Sequence, residues 1–171
     1  MDRSLVLFIA TSLDGYIAKP NDDIDWLFTD ADYGITPFLE RIDTIVMGRK
    51  SYEVLARFAP WPYAGKRCHV MTGRPDDFDD DRVTFTSEKP SRLLARLREE
   101  PGKDIWLLGG GETVRGFVDT GLVDEMIVSI HPIILGGGAP LIPAGTKETG
   151  LTLVDVIRYD SGLVTLTYEV V

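Results

Sequence analysis

The sequence predicts a three-layer α/β fold: a mainly parallel β-sheet between two layers of helices, with an antiparallel hairpin at its C-terminal edge. Three observations carry this expectation. Short continuous apolar runs, of the kind buried on both faces of a parallel sheet, recur through the first two thirds of the chain. Stretches with helical spacing separate them. From residue 124 onward, strands follow one another without helices.

The elements follow in order. Leu5-Val6-Leu7-Phe8-Ile9-Ala10 is a buried-strand run, followed by a turn-rich stretch containing Asp14-Gly15 and Lys19-Pro20-Asn21-Asp22-Asp23. Residues 36–41 predict a helix, with Phe38, Leu39 and Ile42 at helical spacing, and Thr44-Ile45-Val46-Met47 a strand ending at Gly48. Tyr52, Leu55 and Ala56 share a helical face within 50–58. Strands are expected at 68–71 and 82–85. Ser87 reads as an N-cap for the next helix, which holds Pro90 in its first turn and Leu93, Leu94 and Leu97 inside. Pro101-Gly102 stops it. Ile105-Trp106-Leu107-Leu108 is a strand, Gly109-Gly110-Gly111 a turn, and 112–120 a helix closed by Gly121. Strands at 124–130, 151–159 and 162–170 complete the sheet, the last two joined by Asp160-Ser161-Gly162. No linker, repeat or low-complexity stretch interrupts residues 1–171, which are expected to form one domain.

Composition narrows the function. The chain holds 18 Lys and Arg against 27 Asp and Glu, a formal charge of −9, and its pI is near 4.7. So acidic a surface argues against nucleic acid and against an anionic membrane, while leaving room for a small anion in a local basic pocket. The single cysteine, Cys68, excludes an internal disulfide and a multi-cysteine zinc site and fits a cytoplasmic protein. It lies in an apolar run and reads as core. The start lacks the pattern of a secretory signal, and no apolar stretch approaches the ~18 residues of a membrane span. The acidic run 76–81 reads as a solvated loop, His69 and His131 as ordinary strand histidines, and no metal site is expected. Without a Gly-x-Ser-x-Gly elbow, serine hydrolysis has little support.

Three strand ends carry chemistry: Gly48-Arg49-Lys50-Ser51, Thr72-Gly73-Arg74, and Gly109-Gly110-Gly111-Glu112-Thr113. The carboxyl ends of parallel strands form the ligand crevice of an open α/β sheet. Glycine there lets backbone amides approach a phosphate, and the following helix offers its positive end. Arg49, Lys50 and Arg74 add cations on an acidic protein. Neither common nucleotide fingerprint is present, because position 114 is Val and no Gly-x-x-x-x-Gly-Lys-[Ser/Thr] occurs.

Residues 10–18 (ATSLDGYIA), Met47-Gly48-Arg49-Lys50-Ser51-Tyr52-Glu53 and Ile105 through Thr113 resemble, in order, the motifs of the dihydrofolate reductase superfamily. Gly121-Leu122-Val123-Asp124-Glu125 and Pro132 through Gly138 bring the chain closer to the reductase domain at the C-terminus of the bacterial bifunctional riboflavin-biosynthesis protein. The resemblance implies a dihydrofolate reductase-like fold and NADPH as cofactor. The backbone at Ala10 and Ile17 would hold the nicotinamide carboxamide, and Gly48, Arg49, Lys50 and Ser51 the phosphates. Thr72, Gly73 and Arg74 would lie near the adenosine 2′-phosphate. Gly109, Gly110 and Gly111 would pack on the nicotinamide and pyrophosphate, with Glu112 and Thr113 opening the next helix.

The sequence also departs from these relatives. Phe8 stands where riboflavin-pathway reductases usually have Lys, and Asp25-Trp26 stands where the folate enzyme has Pro-Trp. Asp32 and Asp14 are the candidate proton donors or substrate anchors. Asp32 reads in the first place as an exposed helix-start residue, and Asp14 as shaping a turn with Gly15. Trp26 and Phe38 are candidate pocket-lining aromatics, with core packing an equal account. The expected function is NADPH-dependent reduction of a small pyrimidine or pterin heterocycle, as in a 5-amino-6-(5-phosphoribosylamino)uracil reductase. The alternatives are a nucleotide-binding sensor or regulator without turnover, and a dihydrofolate reductase. A homodimer is expected, paired through the apolar strands of 151–171.

Overall fold

A computed structural model describes residues 3–171. The first apolar run forms β1 (Leu5–Thr11), and the three-residue β2 (Tyr16–Ala18) follows its turn. Helix α1 (Ile35–Arg41) runs straight into β3 (Ile42–Gly48), and α2 (Arg49–Leu55) starts at the tip of that strand. Then come β4 (Arg67–Met71), β5 (Thr84–Thr86), α3 (Pro90–Glu99), β6 (Asp104–Gly109), α4 (Gly111–Val118) and β7 (Glu125–Ile130). The two-residue β8 (Ala139–Pro140) and the hairpin strands β9 (Leu151–Arg158) and β10 (Val164–Val170) close the chain.

Eight strands make one sheet in the order β5-β4-β3-β6-β1-β7-β10-β9. Every pair from β5 to β7 is parallel; β10 and then β9 add antiparallel. Because side chains alternate along a strand, β1 feeds two cores. Leu5 and Leu7 join Leu93, Leu94 and Leu97 of α3 and Val114, Phe117 and Val118 of α4 on one face. Val6 joins Phe38 of α1, Tyr52 of α2, Ile45, Met47 and Trp106 on the other. The predicted three layers are thus present.

Helix ends follow local chemistry. Gly121 (φ 66°) lets the chain turn back at the end of α4, where the Gly121 amide donates to Val118 O and that of Leu122 to Phe117 O, a Schellman closure. Lys66 Nζ takes the carbonyls of Leu39 and Ile42 at the end of α1. The cap of α3 is Lys89, not Ser87. Pro90 occupies the first helical position and forces the residue before it into an extended conformation, so the boundary falls at Lys89. The paired β2 and β8 are an addition to the expected elements.

The remaining loop and core expectations hold. Cys68 is buried in β4, and burial pushes its thiol up to about 11, opposite to a nucleophile's shift. In the acidic run, Asp76, Asp77, Asp79 and Asp81 are exposed. Asp80 is tied to Arg82 and the Tyr52 hydroxyl. Among the described residues, no helix is long and apolar enough to cross a membrane.

Candidate functional site

The sheet parts at its centre. Pairing between β1 and β6 covers only Leu5–Leu7 opposite Ile105–Leu107, whereas β1 stays paired with β7 as far as Thr11. Beyond Leu7 the backbone edge of β1 that faces β6 has no neighbouring strand to bond. This lies where the sheet changes direction, since β3, β4 and β5 extend one way from β6 while β1 and β7 extend the other.

A crevice of about 780 Å³ opens over this gap. That is within the usual range for a small-molecule site. Ala10 and Ile17 line it from one side, and Gly48, Arg49, Lys50 and Ser51 from another. Gly110, Gly111, Glu112 and Thr113 form a third side. A smaller groove of about 320 Å³ adjoins it through Met71, Glu112 and Thr113 and contains Thr72 and Gly73. The three strand ends singled out in the sequence therefore border two adjoining depressions, although Gly109 and Arg74 are in the lining of neither.

Two helices begin on the larger depression, and glycines cap both. Gly48 precedes α2 and Gly110 precedes α4, and neither start has a side-chain capping bond. The first-turn amides of both helices are left free to bind an acceptor. Glycine is also required sterically at Gly111, where a Cβ would overlap the Pro140 carbonyl; at Gly48 a Cβ would meet the Thr113 hydroxyl, which would have to rotate away.

The charges are mixed. Arg49 pairs with Glu53 at 2.6 Å on the exposed side of α2, and Lys50 is exposed nearby. Arg74 follows Gly73 in sequence but is in the lining of neither groove; its side chain is 84% exposed, with a 4.0 Å contact to Asp77. Glu112 adds a negative charge in the first turn of α4, and Glu88 lines the smaller groove, held by Arg96 at 2.7 Å. Sequence reasoning did not single out Glu88; its pairing with Arg96, eight residues on, is visible only once α3 is folded.

The other candidates lie outside the crevice lining. Asp32 is exposed and accepts from the Thr36 amide and hydroxyl and from the Gly34 amide, so it serves the start of α1. Asp14 accepts from the Ser12 hydroxyl and from the amides of Leu135 and Gly136. These bonds, that from Ser12 foremost, lower its carboxyl to about 2, so it is ionised at neutral pH and holds no proton to donate. Phe38 is buried and stacks on Phe8 at 4.3 Å, with Trp106 edge-on. Trp26 is buried against His131, and its indole N–H has no hydrogen-bond partner among the described residues. For all four, the structural account given beside the functional one describes the observed environment.

A family model of the RibD C-terminal domain matches residues 3–165. The uncharacterized protein YwjB of Bacillus subtilis strain 168 is 43% identical over 157 residues, covering 90% of this chain and 90% of YwjB. A provisional riboflavin biosynthesis protein from Shewanella sp. PV-4 superposes with a TM-score of 0.85 at 29% identity, over 98% of this chain and 99% of its own. Dihydrofolate reductase from Enterococcus faecalis, solved with NADP(H), superposes with a TM-score of 0.73 at 16% identity, over 98% and 96% of the two chains. The last likeness concerns the fold alone: the three layers are those of a dihydrofolate reductase-like domain.

Proposed function

Because this chain belongs to the RibD C-terminal domain family, we propose that it is an NADPH-dependent oxidoreductase acting on a small heterocycle of the pyrimidine or pterin type. The observation that carries this reading is the parted sheet, with two uncapped helix starts opening onto the gap between β1 and β6. Its residues fit a dinucleotide. The free backbone edge at Ala10 offers hydrogen bonds to a carboxamide, and the first-turn amides at Arg49–Ser51 and Gly111–Thr113 suit phosphate oxygens. Thr72, Gly73 and Arg74 suit a further phosphate at the adenosine end.

NADPH bound there would supply the hydride. The chain's own part is to orient the nicotinamide against its acceptor and to exclude water from the gap. Asp14 and Asp32 act as anchors of the surrounding turns. Ile9, Leu55, Met71 and Leu108 give the crevice an apolar lining on which a flat ring would pack.

Titrating NADPH into the purified protein while following its fluorescence tests the reading. Saturation at micromolar concentration is expected, and no saturable binding would remove it. NADPH oxidation is then followed across pyrimidine, pterin and imine acceptors, beginning with 5-amino-6-(5-phosphoribosylamino)uracil and dihydrofolate. Binding without turnover of any acceptor would favour a sensor or regulator, and turnover of dihydrofolate with antifolate sensitivity a dihydrofolate reductase.

Strand β9 supports a homodimer in the same reading. It is a sheet edge of eight residues, all exposed, with Leu151, Leu153, Val154, Val156 and Ile157 each 44–51% accessible. An apolar edge of this length is normally covered. Sedimentation at several concentrations is expected to show a dimer; a monomer at every concentration would oppose it.

A further inference from the structure

Residues 19–29 supply Lys19, Pro20, Asp22, Ile24 and Leu27 to the crevice wall, although they contain neither helix nor strand. Their polar contacts close almost wholly on themselves. The Lys19 amide donates to Asp23 O, that of Asp22 to Lys19 O and that of Leu27 to Ile24 O. Lys19 also pairs with Asp25 at 2.6 Å. Among the described hydrogen bonds, one joins this stretch to the sheet: the Phe28 amide donates to Nε2 of His131 at 3.2 Å.

His131 is well placed to anchor that amide. It follows β7 directly, is 4% exposed, and its own amide donates to Thr11 O at the end of β1. The rings of Trp26 and Phe28 pack on the imidazole, with centroids 5.2 and 5.0 Å away. Nε2 can accept only while it carries no proton, which leaves the ring proton on Nδ1, 3.4 Å from Ser129 O.

We propose that His131 is a positioning residue for the crevice: its neutral imidazole holds the Phe28 amide, and through it the Ile24–Leu27 wall, so that protonating the ring releases the wall and weakens nucleotide capture. The inference rests on the nucleotide reading of the crevice. An imidazolium has no acceptor, so the Phe28 N–H would face an N–H. Burial disfavours the charged ring and moves its titration below the ordinary histidine range. The titratable groups on neighbouring elements are engaged elsewhere. Asp14, on the β1–β2 turn, serves Leu135 and Gly136; Asp30 binds the Tyr33 hydroxyl; Tyr159, on the β9–β10 hairpin, packs against Tyr33. Full anchoring is therefore present at and above neutral pH and is lost as pH falls through the depressed His131 titration.

Calorimetric titration with NADP⁺, comparing wild type with His131→Gln, tests this. The glutamine carbonyl can accept from the Phe28 amide and does not titrate. The nucleotide's own phosphate titrates near pH 6, which weakens both proteins in acid, so the ratio of their affinities is the readout. The two are expected to agree within about twofold near pH 7.5, with wild type losing about fivefold more than the variant once the pH lies below the His131 titration, located in the same buffer from the imidazole resonances. A ratio that does not change with pH would overturn the inference while leaving the nucleotide reading intact. Failure of wild type to bind NADP⁺ at any pH would instead remove the nucleotide reading and this inference with it. A second measurement needs neither variant nor nucleotide: in wild-type spectra the Phe28 amide resonance must move with the His131 imidazole titration. A Phe28 amide that ignores it overturns the anchoring.

Discussion

The two ends of the parallel strands are built on opposite plans. At the amino ends, buried and half-buried ions bind the strands to one another. Arg3 bonds the Asp43 carboxylate and, at 2.6 Å, the Thr44 hydroxyl at the start of β3, and reaches Leu97 O at 2.7 Å. Arg67, opening β4, pairs with Asp43 and with Glu100. Arg41 joins Asp104 of β6 to Glu125 of β7, each at 2.7 Å. Arg98 reaches Asp124 at 2.6 Å. The carboxyl ends of β3 and β6 finish instead in Gly48 and Gly109, β1 and β6 part, and two helix starts lack side-chain caps. The difference teaches that rigidity and reactivity are separated along the same strands. Cohesion at one rim lets the other keep polar backbone groups unspent for a ligand.

The first test of this contrast is Arg3→Ala. Arg3 is buried and removing it deletes its bonds to Thr44 and Leu97 O, while Asp43 keeps Arg67 and the Lys103 amide, so a loss of about 1–3 kcal/mol is expected in urea unfolding. Nucleotide affinity of the remaining folded protein should hardly change. Gly111→Ala makes the converse break. Its Cβ would press on the Pro140 carbonyl beside the crevice, so an overpacking cost of about 1–3 kcal/mol is expected. NADPH binding should fall by about 10- to 100-fold as the first turn of α4 shifts. Arg74→Ala is narrower. Unfolding should be unaffected because the Asp77 contact is exposed, while the preference for NADPH over NADH falls about tenfold, read from parallel titrations.

The smallest effect concerns Asp14. Its carboxyl lies at about 2, lowered from 3.8, so its hold on Leu135 and Gly136 is complete above the ordinary carboxylate range and lost as pH falls toward 2. Hydrogen exchange at those two amides should show protection unchanged between neutral pH and pH 4 in wild type, and lower protection throughout in Asp14→Ala.

Much of the fold was legible because it rests on short-range pattern. Short apolar runs bounded by turn residues, such as Leu5–Ala10 and Ile105–Leu108, read as buried strands, and Gly121 after a helical stretch reads as its end. The paired β2 and β8 were not legible: three residues against two are shorter than any periodicity can register. In the site, the glycine-bearing strand tips were readable because parallel topology sends all such tips to one edge. Asp32 was legible as a helix-start residue because its partners, Gly34 and Thr36, are local, whereas the fate of Asp14 depended on which amides folding brought to it. Gly136 lies 122 residues from Asp14, and nothing local announces that bond. The same holds for His131 and Phe28, 103 residues apart.

The seam between β1 and β6 has a consequence for how such a protein can change over time. The slot is cut into the central scaffold, and its width follows from strand register, with Met47 opposite Gly109 on one flank and Ala10 opposite Ser129 on the other. Widening it for a bulkier guest would mean re-registering strands on which both cores depend. Adaptation to a new guest therefore falls to the peripheral segments that frame the opening, the 12–34 stretch and the glycine-rich 132–138 turn, while the strand-end backbone stays as it is.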